Sequence, residues 1–136
     1  MGRPVVVLVD TSVWVEVFRR GASFQLASVA DLEEVVTCLP VIQEVLQGFR
    51  DERAFLLARE SMYALPVVES PLERTVFDEA IDLFRRGRQA GLTVRSSVDC
   101  LIAACALRHG LTVLHRDRDF GQLSQISPLE AHDIRT

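Results

Sequence analysis

Lysine is absent from this sequence; each of its 15 Lys/Arg positions is an arginine. Chemistry that neutralises a transferring phosphoryl group with a lysine ammonium is thereby excluded. Cysteine is scarce, with only Cys38, Cys100 and Cys105. An odd number without metal-ligand spacing gives neither a disulfide framework nor a zinc pattern, so buried free thiols are expected. No apolar run approaches the ~18–20 residues that a membrane helix needs. The N-terminal apolar stretch meets an acid at once, too short and too early for a secretory signal, so a cytoplasmic protein is expected. Positive charge is also in deficit. The formal net charge of −4 opposes nucleic-acid binding in general, and such a role would need a local basic patch.

What remains is an ordinary globular composition. Apolar residues make up 49% and charged residues 25% of the 136 positions, enough for a core and too apolar for disorder. The length predicts one domain over 1–136, without repeats or low-complexity tracts.

The organising stretch is Val5-Val6-Val7-Leu8-Val9-Asp10-Thr11-Ser12. A β-branched run that ends on a polar turn predicts a strand buried on both faces. A first helix is expected over 12–20, with Val13, Trp14, Val17 and Phe18 on one face and Gly21 closing it. Those side chains read as core, or in part as a surface for a partner segment. A second short helix is expected over 23–31 and a strand over 34–38. Pro40 suits a helix start and opens one running to Gly48. Further helices are expected over 51–62 and from Pro71 to Arg88, the latter with Phe77, Ala80, Ile81 and Phe84 as its apolar face. A short extended link over 64–68 lies between them. An almost wholly apolar helix runs from Ser96 to Gly110, then a strand over 111–115, a short helix to about Ser124 and an edge strand over 129–132. Strands alternating with helices predict an α/β sandwich around a mostly parallel sheet.

Several acids fall where such a fold brings chain ends together. Asp10 and Asp117 follow strands, and parallel strands direct their C-terminal ends to one edge. Asp99 opens the apolar helix, and Glu44 flanks the apolar arc of its own helix. Each alone has a plainer reading. Asp10 serves as an N-cap, Asp99 stands three residues after Ser96 as in a capping box, Asp117 or Asp119 caps the short helix, and Glu44 is a solvated boundary acid. Converging carboxylates would repel and force protonation unless a divalent cation intervened. Oxygen ligands suit Mg2+ or Mn2+, and such a site hydrolyses phosphodiesters.

The run Asp10-Thr11-Ser12-Val13-Trp14, then Glu44, then Val94-Arg95-Ser96-Ser97-Val98-Asp99-Cys100-Leu101-Ile102-Ala103-Ala104, then His115-Arg116-Asp117-Arg118-Asp119-Phe120 resembles the PIN domains. It is similar in particular to VapC-type toxins of toxin–antitoxin pairs, in motif order and over nearly the whole chain. The resemblance implies a PIN-like α/β/α sandwich and a metal-dependent endoribonuclease that cuts RNA such as tRNA or ribosomal RNA. It also implies a cognate VapB-type antitoxin as partner and a homodimer. Carried over by position, Asp10, Glu44, Asp99 and Asp117 form the catalytic acidic set, with Asp10, Asp99 and Asp117 on the metal. Ser12 and Asp119 become accessory, Ser12 orienting Asp10 or a water. Arg95, Arg116 and Arg118 are expected either to contact RNA phosphates or to be merely solvated.

Two alternatives compete. Receiver domains and aspartate-nucleophile phosphatases also place an acid after a buried strand. They rely on a lysine, however, and Thr11-Ser12 stands where a second acid would be needed. A catalytically inactive PIN-like module that binds RNA or protein is the other alternative; the full set of acids speaks against it.

Overall fold

The computed structural model describes residues 5–19, 21 and 23–136. At its centre is β1 (Val7–Val9), every residue of which is buried. Val5 and Val6, expected to begin this strand, are 61% and 36% exposed and lie outside it. The chain then forms α1 (Thr11–Phe18), β2 (Val35–Cys38), α2 (Leu39–Gln47), α3 (Glu52–Tyr63), β3 (Val67–Val68), α4 (Arg74–Gln89), α5 (Ser97–His109), β4 (Thr112–His115), α6 (Arg118–Leu123) and β5 (Glu130–Asp133).

The strands pair in the order β3-β2-β1-β4-β5, and every pairing is parallel. Helices flank this sheet, as the alternating pattern predicts. The order reverses between β1 and β4. In open α/β sheets the crevice at such a reversal, beyond the carboxyl ends of the strands, is where ligands bind. Asp10 follows β1 directly, and its backbone N–H donates to the Leu114 carbonyl at 2.8 Å. This bond locks the two strand ends that carry the first and last acids.

The core is built from the two faces of the sheet. Leu8, Val9, Val13, Val41, Ile102, Val113, Phe120 and Leu123 are fully buried, and each such side chain contributes about 1.5–3 kcal/mol by leaving water. Trp14 is also buried, and its indole N–H donates to the Val9 carbonyl at 3.1 Å. That places it in the core and removes it as a partner contact. Gly110 ends α5 in the left-handed region at φ +62°, where a side chain would be strained.

Three expectations are corrected. The first helix stops at Phe18 because Arg19 is already extended, at φ −64° and ψ 128°; Arg20 lies outside the described residues. Within the second expected helix only one 3-10 turn forms, Leu26–Ser28, and another, Leu32–Glu34, follows beyond it. Leu26 alone is buried there, with Phe24, Val29 and Ala30 half-buried against the core. α4 begins at Arg74 and buries Val76, Ala80, Leu83 and Gly87; of the predicted face Ala80 is buried and Phe84 half-buried against the core, while the other two are exposed. Phe77 and Ile81 are 44% and 57% exposed. α4 packs on α5 through the smaller residues, and a Cβ on Gly87 would stand 3.1 Å from Val94 Cγ2. Among the described residues no helix is long and apolar enough to cross a membrane.

Candidate active site

Three of the four acids owe their place to a helix start. Asp10 is the N-cap of α1, with extended backbone at φ −71° and ψ 158°. Its Oδ2 accepts from the Ser12 N–H at 3.0 Å and from the Ser12 hydroxyl at 2.5 Å. Asp99 stands in the first turn of α5, which Ser96 caps by accepting from the Asp99 N–H at 3.2 Å. Asp117 caps α6, its Oδ1 accepting from the Asp119 N–H at 2.9 Å. Glu44 projects from α2 and is held by the Thr11 hydroxyl, which donates to its Oε1 at 2.8 Å. The plainer capping reading therefore holds for Asp10 and Asp117, yet it uses only one oxygen of each.

Carboxylate oxygens of these acids converge. One carboxylate oxygen each from Asp10, Glu44 and Asp99 lies within 4.8 Å of the others, and so does one each from Asp99, Asp117 and Asp119. Asp99 belongs to both groups. Among the described residues three buried side-chain oxygens lack a hydrogen-bond partner: Asp10 Oδ1, Asp99 Oδ2 and Asp119 Oδ1. An unpaired buried carboxylate oxygen is costly. A hard cation would satisfy such oxygens, and an all-oxygen donor set fits Mg2+ or Mn2+ far better than zinc. The cysteines stay out of it. All three are buried and free, and burial and a neighbouring acid push the Cys100 thiol up to about 11.

The PIN domain family model matches residues 7–125. The chain belongs to the PIN-domain family. It is 38% identical to "Ribonuclease VapC11" of Mycobacterium tuberculosis over 134 residues, 95% of this chain and 99% of that protein. Among solved structures, VapBC-5 from Mycobacterium tuberculosis superimposes with a TM-score of 0.71 at 21% identity, covering 95% and 99% of the two chains. DNA-bound VapBC from Salmonella typhimurium gives 0.72 at 15% identity over 95% and 98%. At those identities the two structures bear on the fold alone.

Electrostatics in this PIN domain follow from burial. Desolvation, opposed by the Ser12 hydrogen bonds, raises the Asp10 carboxyl to about 6. Asp99 rises to about 9, through burial first, then contact with Asp117 and the charges of Asp10, Asp117 and Asp119. Asp99 thus holds a proton at neutral pH, and Asp10 holds one only below about pH 6, unless a cation replaces them.

The arginines are less uniform than the sequence predicts. Arg116 is committed to an ion pair with Glu16, which also takes Arg19 at 2.9 Å. Arg118 is exposed and lines a cleft with Gln122, His132 and Asp133, on the β5 side of the sheet. Arg95 is 60% exposed, and its Nε lies 3.7 Å from Asp119 Oδ1. Two residues of the site escaped the sequence reading. Thr11 orients Glu44, and the buried His115 accepts the Asp117 N–H on Nδ1 at 3.2 Å. Both stand inside the quoted motifs, but only the fold reveals what they touch.

Proposed function

We propose that this chain is a metal-dependent endoribonuclease, the toxin of a type II toxin–antitoxin pair, which hydrolyses phosphodiester bonds of tRNA or ribosomal RNA. The observation that carries this reading is that carboxylate oxygens of Asp10, Glu44 and Asp99, and of Asp99, Asp117 and Asp119, converge beside the sheet reversal, with unpartnered buried oxygens on Asp10 and Asp99. It occurs in a chain 38% identical over nearly its whole length to a protein named as a ribonuclease.

Asp10, Asp99 and Asp117 would hold Mg2+ or Mn2+. When bound, such an ion supplies an acidified water and offsets charge on the phosphate. The chain's own residues do the rest. Ser12 fixes the rotamer of Asp10 by holding its Oδ2, which leaves Oδ1 buried and without a protein partner. Thr11 holds Glu44 at the open side, where its half-buried carboxylate can accept a proton from an attacking water. His115 fixes the backbone at Asp117 without spending the carboxylate. Arg95, exposed beside the cluster, is the arginine best placed for a flanking phosphate.

A VapB-type antitoxin is the partner this reading implies. Val15, Phe18, Val45, Gly48 and Phe49 line a groove of about 210 Å3 between α1 and α2 that Glu44 also lines. A partner segment seated there would cover the mouth of the site. A second apolar groove, of about 470 Å3, runs along Phe77, Ile81, Phe84, Val98 and Leu101; it is the face we assign to a homodimer. The protein would act in the cytoplasm, where its RNA substrates are.

The test is direct. Purified protein is incubated with structured RNA in Mg2+ and in EDTA. Cleavage in Mg2+ alone is expected. Cleavage that persists in EDTA, or an Asp99→Asn variant that cuts as fast as wild type, sinks the proposal.

A further inference from the structure

Asp119 has the appearance of a further ligand. It is buried, it adjoins Asp99 and Asp117, and one of its oxygens lacks a hydrogen-bond partner. Its other oxygen tells a different story. Asp119 Oδ2 accepts two backbone hydrogen bonds at once, from the Arg95 N–H and the Ser96 N–H, each at 3.0 Å. These amides belong to a stretch between α4 and α5 that has no regular structure. Ser96 is the N-cap of α5, so its own N–H has no partner within the helix. Without Asp119 that amide and its neighbour would both be left unpaired at a helix start.

The bonds form a continuous chain. The Asp117 carboxylate accepts the Asp119 N–H, the Asp119 carboxylate accepts the Ser96 N–H, and the Ser96 hydroxyl accepts the Asp99 N–H. Two helix starts, α5 and α6, are thereby tied together through Asp119. The chain runs from one acid of the cluster to another that lies in a different part of the sequence. The other Asp119 oxygen, Oδ1, is buried without a hydrogen-bond partner, and Arg95 Nε approaches it only to 3.7 Å.

We propose that Asp119 is a positioning residue and not a metal ligand: its carboxylate straps the Arg95–Ser96 backbone to α6 and so sets where Asp99 stands relative to Asp117. This rests on the reading of Asp99 and Asp117 as metal-holding acids. Displacing a ligand by about 1 Å is enough to lose roughly a hundredfold in function, so a strap of this kind matters without touching the ion. The free oxygen adds negative charge beside the cluster and forms no bond to the ion.

Asparagine separates the two roles. Its side-chain carbonyl can accept both amides, but its NH2 group would stand where a ligand oxygen is needed. Alanine offers neither the strap nor a ligand. The experiment measures Mn2+ binding by calorimetry and amide exchange at Arg95 and Ser96 in the metal-free protein. It compares wild type, Asp119→Asn, Asp119→Ala and Asp99→Asn. Asp119→Asn is expected to bind Mn2+ within about tenfold of wild type and to keep both amides protected. Asp119→Ala is expected to lose that protection and to bind about 10–100-fold more weakly than wild type, the usual cost of removing an outer support, and more weakly than the asparagine variant. If Asp119→Asn and Asp119→Ala lose Mn2+ equally, or if Asp119→Asn binds as poorly as Asp99→Asn, the residue is a ligand and the proposal is overturned. Should alanine prevent folding, the comparison of Asp119→Asn with Asp99→Asn decides alone. A wild type that binds Mn2+ but leaves RNA intact removes the ribonuclease reading and leaves this comparison valid. A wild type that binds no Mn2+ removes both.

Discussion

Ser12 and Arg116, separated by 104 residues, are joined by a 2.8 Å hydrogen bond from the Arg116 N–H to the Ser12 hydroxyl. The same hydroxyl donates to Asp10. One side chain therefore aims the acid that follows β1 and holds the turn that follows β4. Replacing it by alanine leaves the Asp10 rotamer loose and removes the acceptor for the Arg116 N–H. Ser12→Ala is expected to lower stability by about 1 kcal/mol and RNA cleavage by about 10–100-fold. Thermal melts and single-turnover cleavage, run side by side, check it. Cleavage that falls only as far as stability does would reduce Ser12 to a structural link.

Thr11 gives a cleaner separation of stability from turnover. Its hydroxyl holds Glu44 at 2.8 Å, and Thr11→Val removes that bond while keeping the side-chain shape. The bond is partly exposed, so its loss costs about 0.5–1.5 kcal/mol at most. The expected effect is a roughly tenfold lower kcat with KM for RNA little changed, because a positioned base contributes to the chemical step. A KM that rises with kcat unchanged would instead place Glu44 in substrate binding.

Metal-free stability should fall as pH rises. Asp10 and Asp99 have folded-state values raised to about 6 and about 9 from an ordinary 3.8. Between the ordinary and the raised values the folded chain holds more protons than the unfolded one, so stability declines through that window. It is fully present below about pH 4 as far as these two groups are concerned, and it is lost first through about pH 6 and then through about pH 9. Melting temperature in EDTA, followed from pH 5 to pH 9, is expected to drop. Asp99→Asn should flatten the upper part of that curve and stand a few degrees above wild type at pH 8, the shift that about 1 kcal/mol produces. Mn2+ affinity should move the opposite way, tightening with pH as the ion competes with fewer protons. A wild-type melting curve flat across this range in EDTA would show that the cluster is not protonated.

Ile81 tests the assembly. It is 57% exposed on the apolar groove between α4 and α5, and a charge there costs the folded monomer little. Ile81→Glu is expected to convert a dimer to a monomer in sedimentation, with the melting temperature of the monomer within about a degree of wild type. Wild type that sediments as a monomer removes this assignment.

The sequence is most informative where one signal has one cause. The β-branched run ending at Asp10 marks a buried strand reaching a turn, although only Val7–Val9 of it are in the strand, and the alternation of strands and helices named the architecture. It misled where two patterns share a period. Val76, Ala80, Leu83 and Gly87 repeat as regularly as Phe77, Ala80, Ile81 and Phe84, and the larger residues carry the stronger hydropathy signal. The packing went to the smaller set because Gly87 admits Val94 at close range, a reason of shape to which hydropathy is blind. The acids could be counted onto one sheet edge without coordinates. What fixes them could not, because the Thr11–Glu44 bond spans 33 positions and the Asp119–Ser96 bond spans 23. Such contacts leave no periodic trace.

Because Asp99 is shared by both groups of converging oxygens, the centre can be dissected from its ends but not from its middle. Glu44→Gln alters one group and spares the other; Asp117→Asn does the reverse. Any change at Asp99 alters both together. A pair of end variants that fail in different ways, one in turnover and one in ion binding, would divide the labour of the site in a manner that no substitution at its shared corner can.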